Sequence, residues 1–245
     1  MVQKAPSVHA FYAERGTPQL FKPAEVATVD YPIQAVDINW DRLSAKRELV
    51  MDTVQAMPAY LVKPEVLYLL DREKNPTYRL IMDLMWSTGA RISEVLGLKP
   101  ESFRDDGYDY GVILSTLKQR PGRPTKRALA RSPKRYVPIA DVVLQNQIQR
   151  YIALGKFRQS DRLFTMTRQT VNRHIKALTD KAGGAPFNIS AHTFRHSFAI
   201  HLMLHGRPLK YISKLLGHKS IDSTEIYTNI LTVDGEHFMR GVDFH

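Results

Sequence analysis

From Pro64 to Ile230 the apolar residues recur at intervals near 3.6, and this helical rhythm breaks at one place. After Gly107, the run Tyr110-Gly-Val-Ile-Leu-Ser-Thr-Leu117 is β-branched and apolar, and Tyr136-Val-Pro-Ile139 is a second, shorter run of the same kind. These two runs predict strands. The segment between them, Lys118–Arg135, holds three prolines and one glycine and predicts a long hairpin tip. On either side the helical stretches are Pro64–Glu73, Thr77–Thr88, Arg91–Leu98, Asp141–Leu154, Thr170–Ala182, Ser190–His205, Pro208–Leu216 and Ile221–Ile230. Pro64 suits a first helical turn, Asn75 an N-cap, and Gly89 a C′ position. The expected fold class is mainly α with a small antiparallel β-sheet (α+β).

The first 58 residues lack this rhythm. They carry Pro6, Pro18, Pro23, Pro32 and Pro58, with one helical stretch at about Asp41–Met57. The expected organisation is an N-terminal arm or reduced subdomain over 1–60, a main domain over 61–230 and a tail over 231–245. There is no internal repeat.

The chain has 35 Lys+Arg against 24 Asp+Glu, net +11, with a pI of about 9.8. The charge is unevenly placed. Residues 118–135 hold eight basic and no acidic groups, and residues 118–219 together carry +18, against −7 for the rest. Such a block suits a polyanion, and nucleic acid is the obvious one. There is no cysteine, which excludes disulfides, zinc ribbons and thiol catalysis. No apolar run reaches the roughly 18 residues that a membrane span needs, and Met1–Ala10 lacks the layout of a signal peptide. A cytoplasmic protein of bacterial or archaeal type is the expectation. No phosphate-binding Gly-rich loop, acidic metal cluster or His-Glu-x-x-His motif is present.

Four local patterns carry candidate chemistry. Thr88-Gly-Ala-Arg91-Ile-Ser-Glu94-Val-Leu-Gly-Leu98 places an arginine and a carboxylate three residues apart, which by itself is also a common surface ion pair. Ala191-His192-Thr-Phe-Arg195-His196-Ser-Phe-Ala puts His192 and Arg195 on one helical face, with His196 turned elsewhere. Lys210-Tyr-Ile-Ser-Lys-Leu-Leu-Gly-His218 ends a helix at Gly217 and leaves His218 at a turn. Ser223-Thr-Glu-Ile-Tyr227-Thr-Asn sets a tyrosine in a short helix. Each pattern alone has an ordinary structural reading.

Together, in this order and at these separations, the four stretches resemble the tyrosine recombinases, or phage-integrase family, over about Leu61 to Ile230, roughly 70% of the chain. The resemblance implies that family's catalytic-domain fold. It also implies roles. Arg91 and Arg195 match the two catalytic arginines, and Glu94 the acidic residue that supports the first. His192 and His218 match the two histidines, and Tyr227 the nucleophile. A lysine in the hairpin is implied as well; Lys118 is the first choice, with Lys126 and Lys134 as alternatives. Candidate DNA contacts are Arg120, Arg123, Lys126 and Arg127 in the loop, and Arg168, Arg173, Lys176, Lys210, Lys214 and Lys219 in the later helices.

These residue types fit phosphoryl transfer. A phenol with a pKa of about 10 needs a cationic neighbourhood and a proton acceptor. Guanidinium groups clamp the charge on non-bridging phosphate oxygens. A lysine protonates the departing 5′ oxygen. The resemblance implies strand cleavage and rejoining of double-stranded DNA through a 3′-phosphotyrosyl intermediate, without metal or ATP. It implies a homo-tetramer on paired sites, monomeric or dimeric when free, with room for an accessory DNA-bending protein. The region before residue 61 is shorter than the family's usual N-terminal DNA-binding domain. That departure keeps open an alternative, a non-catalytic DNA-binding accessory factor or regulator on the same fold. Phe238, Met239 and Phe244 in the tail are candidates for a protomer contact.

Overall fold

The computed structural model describes residues 38–53, 57–115 and 133–234. In chain order the helices are α1 (Trp40–Thr53), α2 (Lys63–Arg72), α3 (Pro76–Thr88) and α4 (Ile92–Val95), then α5 (Val142–Leu154), α6 (Arg168–Lys181), α7 (Ala191–Leu204), α8 (Leu209–Leu216), α9 (Asp222–Glu225) and α10 (Asn229–Asp234). The strands are β1 (Phe103–Asp105), β2 (Tyr110–Ser115) and β3 (Lys134–Pro138), antiparallel in the order β1-β2-β3. The class is the one expected: mostly helical with a small antiparallel sheet.

Local chemistry explains the element ends. Asn75 accepts from the N–H groups of Thr77 and Tyr78 at 2.9 and 3.3 Å, and Pro76 opens α3 where an N–H would be unpaired anyway. Gly89 closes α3 at φ 62°, ψ 18°. Glycine is required there twice over, by the left-handed backbone and by Phe198, whose ring occupies the space of a Cβ.

α3 and α7 form the central pair. Leu80, Ile81, Leu84 and Met85 from α3 and Phe194, Ala199 and Ile200 from α7 are all buried. Each such large apolar side chain contributes roughly 1.5–3 kcal/mol. In the sheet, Val112 pairs with Phe103 and Val137, and these residues with Leu114 form the inward face.

The described part of the N-terminal region packs onto this body. Trp40 stacks on His201 of α7, with centroids 5.7 Å apart. Arg47 donates to Glu65 at 2.7 Å, and Glu65 also accepts from the N–H of Val62 at the start of α2.

Three details differ from the sequence reading. β1 was not expected; a three-residue strand is too short to show an alternating pattern. Arg91–Leu98 forms only the single turn Ile92–Val95 of α-helix. The stretch expected as one helix over Ile221–Ile230 is divided, with a 3₁₀ turn at Ile226–Thr228 between α9 and α10. Among the described residues, no helix is long and apolar enough to cross a membrane.

Candidate active site

The site gathers where the ends of α3 and α8 meet the first half of α7. Arg195 lies on α7 and is 4% exposed. Its Nη1 donates to the carbonyl of Gly89 at 2.6 Å, and its Nη2 to the carbonyl of Leu216 at 2.7 Å. Both acceptors are at helix C-termini, where carbonyls lack intrahelical partners and the dipole is negative. Burial, and then the charge of Arg91, pull the Arg195 pKa down to about 9, which still leaves it charged at neutral pH. A guanidinium has five N–H groups, so three remain beyond these two contacts.

Arg91 follows two residues after Gly89 and caps α4. Its backbone N–H donates to Glu94 Oε2 at 2.8 Å, and its Nη1 to Glu94 Oε1 at 3.2 Å. The Arg91 side chain keeps 32% exposure, whereas that of Glu94 has 1%. Arg135 of β3 reaches the same carboxylate with two donors, at 2.8 and 2.7 Å, and its Nε donates to the Leu215 carbonyl at 2.6 Å. Burial alone would raise the Glu94 pKa. The hydrogen bonds and charge of Arg135, with those of Arg91, outweigh it and hold the carboxyl below its ordinary value.

Gly217 turns left-handed at φ 65°, ψ 41°, and places His218 beside the arginines. His218 Nδ1 is hydrogen-bonded to Thr224 Oγ1 at 2.7 Å. Burial, then the charges of Arg195 and Arg91, push its pKa to about 4, so the ring is neutral at pH 7. His192, exposed in the first turn of α7, is shifted down by burial and then by Arg195, Arg91 and Arg168. Tyr227 is 2% exposed. Burial raises its pKa, while Arg195 and Arg91 oppose that rise. Arg91, His192, Arg195, His218 and Tyr227 therefore share one electrostatic neighbourhood.

His196 leaves the Arg195 face, as expected, yet it joins the site: its Nδ1 is hydrogen-bonded to Tyr227 Oη at 2.8 Å. Helical spacing put it on another face from Arg195, which is correct, but that face is where Tyr227 packs. Sequence reasoning also missed Arg135 as the partner of Glu94. The excess of basic residues in 118–135 was the available signal, but it pointed to solvent or DNA.

Lys118, Arg120, Arg123, Lys126 and Arg127 lie outside the described residues. Lys134, the other lysine alternative, opens β3 opposite Ser115 and is exposed. It lines a cleft of about 480 Å³ with Lys99, Arg104 and Arg162. Arg162 also borders an adjoining hollow that reaches Arg168. Arg168, Arg173 and Lys176 on α6, Lys210 and Lys214 on α8, and Lys219 beyond it are all exposed. Among the described residues, no group of three or more histidines and carboxylates could hold a metal ion.

Comparison with known proteins identifies the family. Residues 60–232 match the phage integrase family. The chain is 34% identical over 185 residues to a probable site-specific recombinase in the afa region of Escherichia coli, covering 73% of each chain. It is 33% identical over 220 residues to a resolvase of Escherichia coli strain K12, covering 81% of each. Its fold is similar to that of XerH site-specific recombinase in a pre-cleavage complex with difH substrate, with a TM-score of 0.57 at 22% identity. That match covers 70% of this chain and 51% of the XerH chain, so the protein spans about half the length of that solved relative. The chain belongs to the phage integrase family. It is a site-specific recombinase of the tyrosine type.

Proposed function

We propose that this recombinase, of integrase or resolvase type, acts on double-stranded DNA with Tyr227 as its nucleophile. One observation carries the assignment: Tyr227 Oη lies 2.8 Å from Nδ1 of His196, the chain neighbour of Arg195 on α7, which puts the phenol beside the arginine site. Tyr227 Oη attacks the scissile phosphorus. The Oη–P bond forms and the P–O5′ bond breaks, giving a 3′-phosphotyrosyl link and a free 5′ hydroxyl. The phenolic proton passes to a neutral imidazole, His218 or His192. The 5′ oxygen takes a proton from a hairpin lysine, Lys118 in this reading. Arg91 and the uncommitted N–H groups of Arg195 bind the non-bridging oxygens as charge builds on them. Glu94 positions Arg91. The reverse step joins a new 5′ end, and because the energy of the broken bond stays in the phosphotyrosyl link, no ATP is consumed.

In this reading residues 61–230 are the catalytic domain, residues 1–60 an N-terminal arm or reduced DNA-binding subdomain, and residues 231–245 a tail that makes a protomer contact. The working assembly is a homo-tetramer on paired DNA sites, helped by an accessory DNA-bending protein. The exposed cations of α6 and α8 hold phosphates on either side of the cut.

Trapping tests this directly. The protein is mixed with supercoiled or nicked DNA from its own genetic neighbourhood and quenched with SDS. A covalent adduct at a 3′ phosphate is expected, and Tyr227→Phe abolishes it. Tight binding with no adduct on either DNA supports the accessory-factor alternative instead.

A further inference from the structure

We propose that Asn172 is a positioning residue for strand cleavage: it joins the basic helix α6 to the first turn of α7, so that the cations of α6 and the imidazole of His192 keep one fixed spacing. The proposal rests on the recombinase reading for its catalytic meaning and on a hydrogen bond between the two helices for its substance.

Ala191 opens α7, and its N–H is one of the four that an α-helix cannot pair internally. Asn172 Oδ1 accepts from it at 3.0 Å. The cap comes from a neighbouring helix; among the described residues, the side chain of Ser190 at the N-cap position makes no cap bond. His192 is the next residue along, so the point where α7 is pinned is also the point that carries the imidazole. On α6, Arg168 lies one turn before Asn172 and Lys176 one turn after it, all on one stripe. The charge of Arg168 reaches the His192 ring.

Both helices have other anchors. On α6, His174 Nε2 is hydrogen-bonded to Glu73 Oε2 at 2.5 Å, and its ring stacks on Tyr78 of α3 with centroids 3.6 Å apart. Tyr68 Oη of α2 donates to the Ala182 carbonyl just past α6, at 3.3 Å. The body of α7 is held by Arg195. Removing the Asn172 oxygen therefore leaves α6 and α7 docked and releases only the joint between them. Affinity depends on the cations of α6, which stay in place. The rate depends on an imidazole and a phosphate meeting in the right geometry, and a misplacement of about 1 Å is costly there. Rate and affinity should separate.

The test uses the full chain with Asn172→Ala, which lacks the acceptor, and Asn172→Asp, which keeps an acceptor oxygen that suits a helix N-terminus. The initial rate of adduct formation on saturating nicked DNA is measured beside the affinity for the same DNA. Asn172→Ala lowers the rate about fivefold, the scale of one lost neutral hydrogen bond, and leaves the affinity near the wild-type value. Asn172→Asp restores most of the rate. His174→Ala, which loosens α6 itself, weakens affinity instead. An unchanged rate in Asn172→Ala overturns the proposal. So does a fall of rate and affinity in equal proportion, which makes Asn172 an ordinary part of α6.

A second arm needs no activity. The His192 imidazole is titrated by NMR, its signal assigned with His192→Asn, in the wild type and in Asn172→Ala, each with and without Arg168→Gln. Arg168→Gln raises the His192 pKa in the wild type, and by less than half as much once Asn172→Ala has freed the joint. An equal rise in both backgrounds means that Asn172 does not hold the spacing, and the proposal falls. Absence of any wild-type adduct counts against the recombinase reading, and the titration then judges the joint by itself.

Discussion

Glu94 and Arg135, 41 residues apart in the chain, meet as a two-pronged ion pair, Nη1 to Oε1 at 2.8 Å and Nη2 to Oε2 at 2.7 Å. The pair holds the carboxylate that orients Arg91. Arg135→Ala leaves that carboxylate buried without its fork of donors, and a loss of about 3–5 kcal/mol in denaturant unfolding is expected. Arg135→Lys recovers only part, because an ammonium lacks the planar fork.

The same pair sets an acid limit. The folded pKa of Glu94 lies below its ordinary value of 4.5. Its contribution to stability is therefore complete above that value and is lost as pH falls through the folded pKa. Urea midpoints measured from pH 6 down to pH 3 should drop less steeply for Glu94→Gln than for the wild type, from a lower starting point.

A second pH effect begins higher. His201 sits between Trp40 and Trp86, and burial, then His205, lower its pKa to about 3. The unfolded chain binds a proton near pH 6.5 that the folded chain refuses, so stability falls as pH drops from 6.5 toward 3. His201 Nδ1 is buried with no hydrogen-bond partner. His201→Phe keeps the stack and removes both the proton and that atom. The variant should be at least as stable as wild type at pH 7, with a shallower loss between pH 6.5 and pH 5.

Arg91→Ala and Arg195→Ala should each lower the rate of adduct formation by about 10²–10³-fold. They differ in a second readout. Arg91 is partly exposed, and its removal should leave the melting temperature nearly unchanged. Arg195 ties Gly89 to Leu216, so its loss should also lower thermal stability, and Arg195→Lys should repair neither property.

Lys210 and Lys214 lie one turn apart on the exposed side of α8. If both bind phosphates, changing both to alanine makes the slope of log affinity against log salt shallower by about 0.9 for each lysine that had neutralised a phosphate. Affinity should fall alike on specific and unrelated DNA. An unchanged slope means that both face solvent in the complex.

What could be read from the sequence was local in the chain. The Arg91–Glu94 spacing, the left-handed glycines at 89 and 217, the proline and asparagine that open α3, and the β-branched run of β2 each show within a few residues. What stayed hidden depended on distant segments meeting. Glu94 and Arg135 are brought together by strand β3, and His196 and Tyr227 by the packing of the last short helices against α7. No spacing rule links positions 31 or 41 residues apart. β1 escaped because three residues carry no period. The helix expected over Ile221–Ile230 came out broken because apolar spacing does not separate one helix from several short turns packed on the same core.

The bonds made by Arg195 have a consequence for the cell. One guanidinium is both a phosphate ligand in the proposed chemistry and a brace between three segments that are far apart in the chain. A nascent or damaged chain whose helices have not all docked has no place to hold that side chain. In the proposed chemistry, DNA-breaking capacity therefore depends on finished folding, and heat or mutation that loosens the fold should disarm the enzyme before it cuts astray.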